Sequence, residues 1–268
     1  MVYSELIRGS LSANAIGRET DYAVLVPAAC RAGQPMPLIL HLHGAMSSAA
    51  SLEDAKETYD RAWASGALPP AVVACPSTPT LGGFYMDYEH GAAWETFVGE
   101  DFPDHLGHRF ALSGTRAVIG FSMGGYGALK LAFRKVETYA AVAALCPTIF
   151  PAEVSAMVPE KNRPSILGEL NRAMGEDEET YRRNTVYGPL RANRQALRRS
   201  GQRIYFDCGT ADEFHLHDGA AYLHAVLTDL DIPHEFLSVT GAGHADEQMP
   251  FRRAEAIRFL GRAFAARN

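Results

Sequence analysis

Short apolar runs recur along the chain at wide intervals, and the stretches between them carry helical spacing. The runs at 21–26, 37–41, 71–74, 116–120, 139–145, 203–207 and 234–239 read as strands. Several are continuously apolar, as expected for strands buried on both faces of a parallel sheet. The earliest segment, 6–26, carries Gly9 and Gly17 and reads as an antiparallel hairpin at a sheet edge. Helices are predicted over 52–65, 94–110, 124–134, 217–230 and 251–266, the first closed by Gly66 and followed by Pro69 and Pro70. Strands alternating with helices predict an α/β domain with a mostly parallel, doubly wound sheet and helices on both faces. The polar stretch 147–200 offers no good strand and breaks the rhythm. A second domain and a helical excursion over one end of the sheet compete, and at about 50 residues the excursion is favoured over an independent core. It is expected to be a helical, cap-like insertion before the penultimate strand, within one domain spanning 1–268.

Composition narrows the function classes. The chain has 268 residues, 47% hydrophobic and 21% charged, an ordinary globular balance that excludes a disordered chain. No apolar run approaches the roughly 20 residues that cross a bilayer. The start, Met1-Val2-Tyr3-Ser4-Glu5, lacks the basic-then-apolar pattern of a secretory signal, so a cytoplasmic protein without a membrane partner is expected. A net charge of −6 works against nucleic-acid binding. The densest basic cluster is Arg182, Arg183, Arg191, Arg194, Arg198, Arg199 and Arg203, just after the acidic run Glu176-Asp177-Glu178-Glu179. Spacing puts Arg191, Arg194 and Arg198 on one helix face, read as solvated; a subsite for anionic substrates is the alternative. Cys30, Cys75, Cys146 and Cys208 are far apart and form no CxxC, which suggests neither a zinc site nor a disulfide framework.

The strongest chemical signal is Gly120-Phe121-Ser122-Met123-Gly124-Gly125-Tyr126-Gly127-Ala128-Leu129. Gly-x-Ser-x-Gly between a buried strand and an Ala/Leu-rich helix is a nucleophile elbow. The serine occupies a strained turn, and the flanking glycines let neighbouring backbone pass closely. A serine hydroxyl needs a base, and the base an orienting acid, which follow in the order serine, acid, histidine. Order restricts the base to His215, His217, His224, His234 or His244. His244 is chosen because it follows the last strand in a glycine-rich loop, ahead of the final helix. Its neutral form must act, through an apparent pKa of roughly 6–7. The acid should follow the strand at 203–207; Asp212 is the candidate, with Glu213 able to substitute and Asp207 read as structural.

Acyl transfer also needs donors for the developing oxyanion. One is the N–H of Met123, directly after the nucleophile. The other comes from the loop after the strand at 37–41. Ala45 is chosen there, with Gly44 and Met46 as alternatives. The pairs His41/His43 and His215/His217 have two-residue spacing that could chelate a metal. Packing and hydrogen bonding are the expected use, and no metal is assigned.

With these residues in place the chain resembles the esterase D family of α/β-hydrolases. That family includes S-formylglutathione hydrolases, feruloyl esterases and, more distantly, mycobacterial mycolyltransferases. The resemblance runs from about Pro37 to the C-terminus and rests on His43-Gly44, the 120–129 motif, Gly209-Thr210-Ala211-Asp212 and Gly243-His244. Gly83-Phe84-Tyr85-Met86-Asp87, with Trp94-Glu95-Thr96-Phe97 and Glu100-Asp101-Phe102-Pro103 after it, is similar to the family's aromatic loop and helix before the nucleophile strand. The resemblance implies an α/β-hydrolase fold and a cofactor-free Ser-Asp-His serine hydrolase. Its partner would be a small-molecule ester or thioester with a fairly small acyl group, and a homodimer is left open.

Two departures from S-formylglutathione hydrolases stand out. The oxyanion loop lacks their cysteine-containing segment, and Ala245-Asp246 replaces their serine and aromatics after the histidine. A general carboxylesterase for short to medium acyl groups is therefore expected, with a thioesterase or an acyltransferase using the same triad as alternatives. The intact set of residue types, in order, argues against a non-catalytic binding module. Gly44, Met46, Tyr85, Trp94 and Phe214 are the candidate substrate contacts, with core packing the other reading for Trp94. The 147–200 stretch, dense in arginine and acid, is expected to stay hydrated and admit water to an acyl-enzyme.

Overall fold

The computed structural model describes residues 4–28, 34–175 and 177–266. Eight strands form one sheet: β1 (Ser4–Ala13), β2 (Arg18–Pro27), β3 (Met36–Leu42), β4 (Val72–Pro76), β5 (Leu112–Phe121), β6 (Tyr139–Leu145), β7 (Arg203–Gly209) and β8 (Glu235–Val239). Their order is β1-β2-β4-β3-β5-β6-β7-β8. The β1–β2 hairpin is the antiparallel edge, and β2 also runs antiparallel to β4; all later pairings are parallel. Alternation along each strand divides the core between the two faces. Leu38, Leu40 and Leu42 of β3 enter one cluster with Val72, Ala74 and Val118. Ile39 enters the other with Val73, Cys75 and Ile119. The continuously apolar runs are thus buried on both sides.

Helices cover both faces. On one side lie α1 (Ser51–Ala64) and, at the C-terminus, α10 (Met249–Ala265), contributing Leu52, Tyr59, Leu260 and Phe264. On the other lie α2 (Trp94–Thr96), α3 (Phe102–Gly107), α4 (Met123–Arg134) and α9 (Leu216–Asp229). The segment predicted as one helix over 94–110 is α2 and α3 joined by a π-helical turn at Phe97–Asp101. Pro103 lies in the first turn of α3 and has no N–H to donate back to Gly99, so regular α spacing is interrupted just before it.

Between β6 and β7 come two 3-10 turns, Ser155–Met157 and Glu160–Asn162, then α5 (Ser165–Ala173), α6 (Glu178–Asn184), α7 (Tyr187–Ala192) and α8 (Arg194–Ser200). Leu167, Leu170, Tyr181, Tyr187 and Leu190 bury into the same cluster as the α4 face of the sheet. The single helix face expected for Arg191, Arg194 and Arg198 does not exist. Asn193 separates α7 from α8 and donates its side-chain N–H to the Phe133 carbonyl of α4 at 2.9 Å, which ends the first helix. Arg191 instead forks onto Glu153 at 2.6 and 2.5 Å, and Arg198 donates to the Leu230 carbonyl at 2.6 Å. Cys75, Cys146 and Cys208 are free and buried, while Cys30 and Glu176 lie outside the described residues. Among the described residues, no helix is long and apolar enough to cross a membrane.

Candidate active site

The topology brings the loops after β3, β5, β6, β7 and β8 to one edge of the sheet. Ser122 follows β5 with φ 55° and ψ −116°, a backbone that non-glycine residues rarely adopt. Its carbonyl accepts the first helical bond of α4, from the Tyr126 N–H at 3.0 Å. A Cβ on Gly120 would sit 2.0 Å from the Gly124 carbonyl oxygen, and one on Gly124 would sit 2.0 Å from that of Leu42. Only glycine lets the three backbones meet there.

His244, in the loop between β8 and α10, places Nδ1 2.7 Å from Asp212 Oδ2 and Nε2 2.9 Å from Ser122 Oγ. A carboxylate only accepts, so in the neutral ring Nδ1 carries the proton and Nε2 is left to accept from the serine hydroxyl. Asp212 Oδ1 accepts the N–H groups of Phe214 (2.9 Å) and Leu216 (3.3 Å). The neighbouring carboxylate does something else: Glu213 Oε2 accepts the backbone N–H of His244 at 3.0 Å, holding the loop and not the ring. Phe121 and Phe214 pack on the imidazole with centroids 5.0 and 4.9 Å away.

Burial works against charge on Asp212, yet the hydrogen bonds from His244, Leu216 and Phe214 hold its carboxyl below the usual range. Burial also opposes the imidazolium, but Asp212 and the Cys146 sulfur outweigh it and raise His244 to about 9. That lies above the roughly 6–7 expected for an unperturbed histidine.

Around the oxyanion position, Ala45 and Met123 both line the cavity at Ser122. Met123 opens α4, so its N–H has no intrahelical acceptor. The Met46 N–H donates to Thr80 Oγ1 at 2.7 Å, which leaves Ala45 as the better donor of the two. Gly44 supplies its carbonyl to His43 Nδ1 at 2.8 Å, and His43 Nε2 accepts the Thr78 N–H at 2.9 Å. His43 is therefore a brace for this loop. His41 turns to Tyr59 at 3.0 Å, so the two histidines do not converge on a metal.

The cavity measures 260 Å³ and is lined by Ala45, Met46, Phe84, Phe121, Met123, Thr148, Ile166, Leu167, Phe214 and Leu216 around Ser122 and His244. Three expected substrate contacts, Gly44, Tyr85 and Trp94, are absent from that lining; Gly44 lies buried in the loop, against the Phe121 ring. Tyr85 is buried under the loop, where its hydroxyl donates to the His43 carbonyl at 3.0 Å and its ring fills the space left by Gly127. Trp94 is buried against Phe97 with Arg18 over its ring, and is a core residue. The 147–200 stretch also turns a different side to the site than expected. Its charged groups pair away from the cavity (Arg172 with Glu169, Arg182 with Glu178), while Ile166 and Leu167 face it.

Three residues near the triad carry no motif. Thr148 Oγ1 lies 3.2 Å from Ser122 Oγ. Cys146, in the turn before it, accepts from Arg252 at 2.8 Å. Arg252, buried on α10, also donates to Asp207 at 3.1 and 2.5 Å. Donor atoms of Cys146, Asp212 and His244 lie within 4.8 Å of one another, a spacing a soft cation could use. Such a cation would have to displace the Arg252 guanidinium from the sulfur and break the Asp212–His244 bond.

A family model described as "Putative esterase" matches residues 13–251. The chain belongs to this esterase family. Membership makes it a hydrolase that acts on small-molecule esters. The esterase is also similar to solved structures along nearly its whole length. A ferulic acid esterase aligns with a TM-score of 0.79 and 22% identity over 97% of this chain and 98% of its own. The S-formylglutathione hydrolase from Agrobacterium tumefaciens gives 0.73 and 20% over 96% and 97%. FphF, a fluorophosphonate-binding serine hydrolase of Staphylococcus aureus, gives 0.74 and 18% over 96% and 98%. At these identities the likeness establishes a shared α/β-hydrolase fold.

Proposed function

We propose that this esterase is a serine carboxylesterase working through an acyl-enzyme on Ser122. Ser122 Oγ attacks the ester carbonyl while His244 Nε2 takes its proton, and Asp212 orients and stabilises the resulting imidazolium. The N–H groups of Ala45 and Met123 receive the oxyanion. Collapse expels the alcohol, protonated by His244. Water, activated by the same nitrogen, then releases the acid. One observation carries this reading: the unbroken Asp212–His244–Ser122 relay at 2.7 and 2.9 Å opens into an apolar cavity.

The same cavity supports an uncharged acyl group of short to medium length. We read the chain as one catalytic domain, with 147–200 as its cap. Labelling with a fluorophosphonate, followed by mass spectrometry, tests the reading. The adduct is expected on Ser122, with Ser122→Ala losing both the label and p-nitrophenyl ester hydrolysis by several orders of magnitude. An adduct on another serine overturns it.

A further inference from the structure

The Ser122 hydroxyl has two neighbours and one proton. Its Oγ lies 2.9 Å from His244 Nε2 and 3.2 Å from Thr148 Oγ1. In the neutral, active form of His244 the ring proton sits on Nδ1 against Asp212, so Nε2 has only a lone pair and the serine proton goes to it. The contact with Thr148 then runs one way, with the threonine O–H donating to Ser122 Oγ. Thr148 is fixed for that task. Its own N–H donates to the Ser122 carbonyl at 3.0 Å, it is buried, and it borders the cavity where the acyl group would lie.

We infer that Thr148 is a second catalytic donor that assists departure of Ser122 Oγ when the acyl-enzyme breaks down. The inference rests on the acyl-enzyme reading. A hydrogen bond strengthens with negative charge on its acceptor. In the free enzyme Oγ is a hydroxyl oxygen and accepts well. During acylation, the charge that deprotonation leaves on Oγ is consumed by the new bond to carbon, so the Thr148 bond changes little. In the acyl-enzyme Oγ is an ester oxygen and accepts weakly. When the second tetrahedral intermediate collapses, the Oγ–C bond breaks, its electron pair returns to Oγ, and the His244 proton follows. The Thr148 donor is then stronger in the transition state than in the ground state, which is the condition for catalysis.

The test is pre-steady-state hydrolysis of a p-nitrophenyl ester by the wild-type enzyme, Thr148→Val and Thr148→Ser, with active sites counted by fluorophosphonate titration. Valine keeps the shape and the backbone bond to Ser122 but removes the donor. Thr148→Val is expected to deacylate about tenfold more slowly, less than the 10²–10³ of an oxyanion donor, with an acylation rate within about twofold and a larger nitrophenol burst. Thr148→Ser is expected to restore deacylation. Equal slowing of both steps, or deacylation at the wild-type rate, overturns the role of Thr148 while leaving the acyl-enzyme intact. Failure of the wild-type enzyme to show any acyl adduct on Ser122 by intact mass overturns both.

Discussion

Two carboxylates in succession could serve His244, and sequence order does not choose between them. Their hydrogen bonds do. Asp212 meets the ring at 2.7 Å, whereas Glu213 meets only the backbone N–H of His244. Asp212→Asn is therefore expected to lower kcat about 10⁴-fold through the wrong imidazole tautomer. Glu213→Gln, which can still accept the same N–H, should cost less than about tenfold, a contrast that steady-state kinetics on purified variants reads directly. The pH profile is decided at the same ring. In the proposed mechanism His244 acts as a base only when neutral, so kcat/KM is expected to rise with pH through its pKa and to be lost below it. With burial outweighed by Asp212 and Cys146, that pKa is raised to about 9, and the rising limb is expected well above pH 7. Cys146→Ala, which removes one of the two stabilising groups, should move the limb to lower pH. A wild-type midpoint at 6.5 or below, with chemistry shown to limit the rate, contradicts this account.

Strands were the most legible elements, because a run buried on both faces must be continuously apolar whatever it packs against. The elbow was legible for a similar reason: a Cβ on Gly120 or Gly124 would sit 2.0 Å from a backbone oxygen, a constraint strong enough to mark the sequence. What failed was spacing carried across a break. Asn193 docks onto the end of α4, and Arg191 and Arg198 then belong to different helices. Arg252 was missed for a related reason. On α10 it looks like any arginine of a long amphipathic helix, and its burial depends on β6 and β7 arriving from elsewhere. There it ties together the Asp207 carboxylate, the Cys146 sulfur and, at 3.4 Å, the Gly243 carbonyl beside His244. Arg252→Met should leave Asp207 buried without its counter-charge and cost roughly 3–5 kcal/mol in urea unfolding. Adding Asp207→Asn to that variant should recover part of the loss, since the stranded charge is gone. Purely additive losses would mean the pair is not coupled.

How the excursion between β6 and β7 sits on the sheet was not legible, because nothing in local spacing says which side of α5 meets the site. Its position is set by distant contacts, such as the Asn162 side chain donating to the Phe214 carbonyl at 2.9 Å. The consequence is an apolar wall of Ile166 and Leu167 opposite Phe84 and Phe121, where charge density alone pointed to a hydrated cover. Under the proposed function, that wall would make the acyl group the main source of specificity. A volume of 260 Å³ equals that of about nine water molecules at about 30 Å³ each, space for an acyl chain of up to about eight carbons. Each methylene buried contributes about 0.8 kcal/mol, or about fourfold. Across a series of p-nitrophenyl esters, kcat/KM is expected to climb by up to that factor per carbon from acetyl and then level or fall near octanoyl. Leu167→Trp fills the wall from the cap side without touching Ser122, Asp212 or His244. It should shift the optimum to shorter chains while acetate ester hydrolysis stays within about threefold of the original. A flat profile from acetyl to octanoyl, or equal slowing of all esters by Leu167→Trp, would mean the acyl group binds outside this cavity.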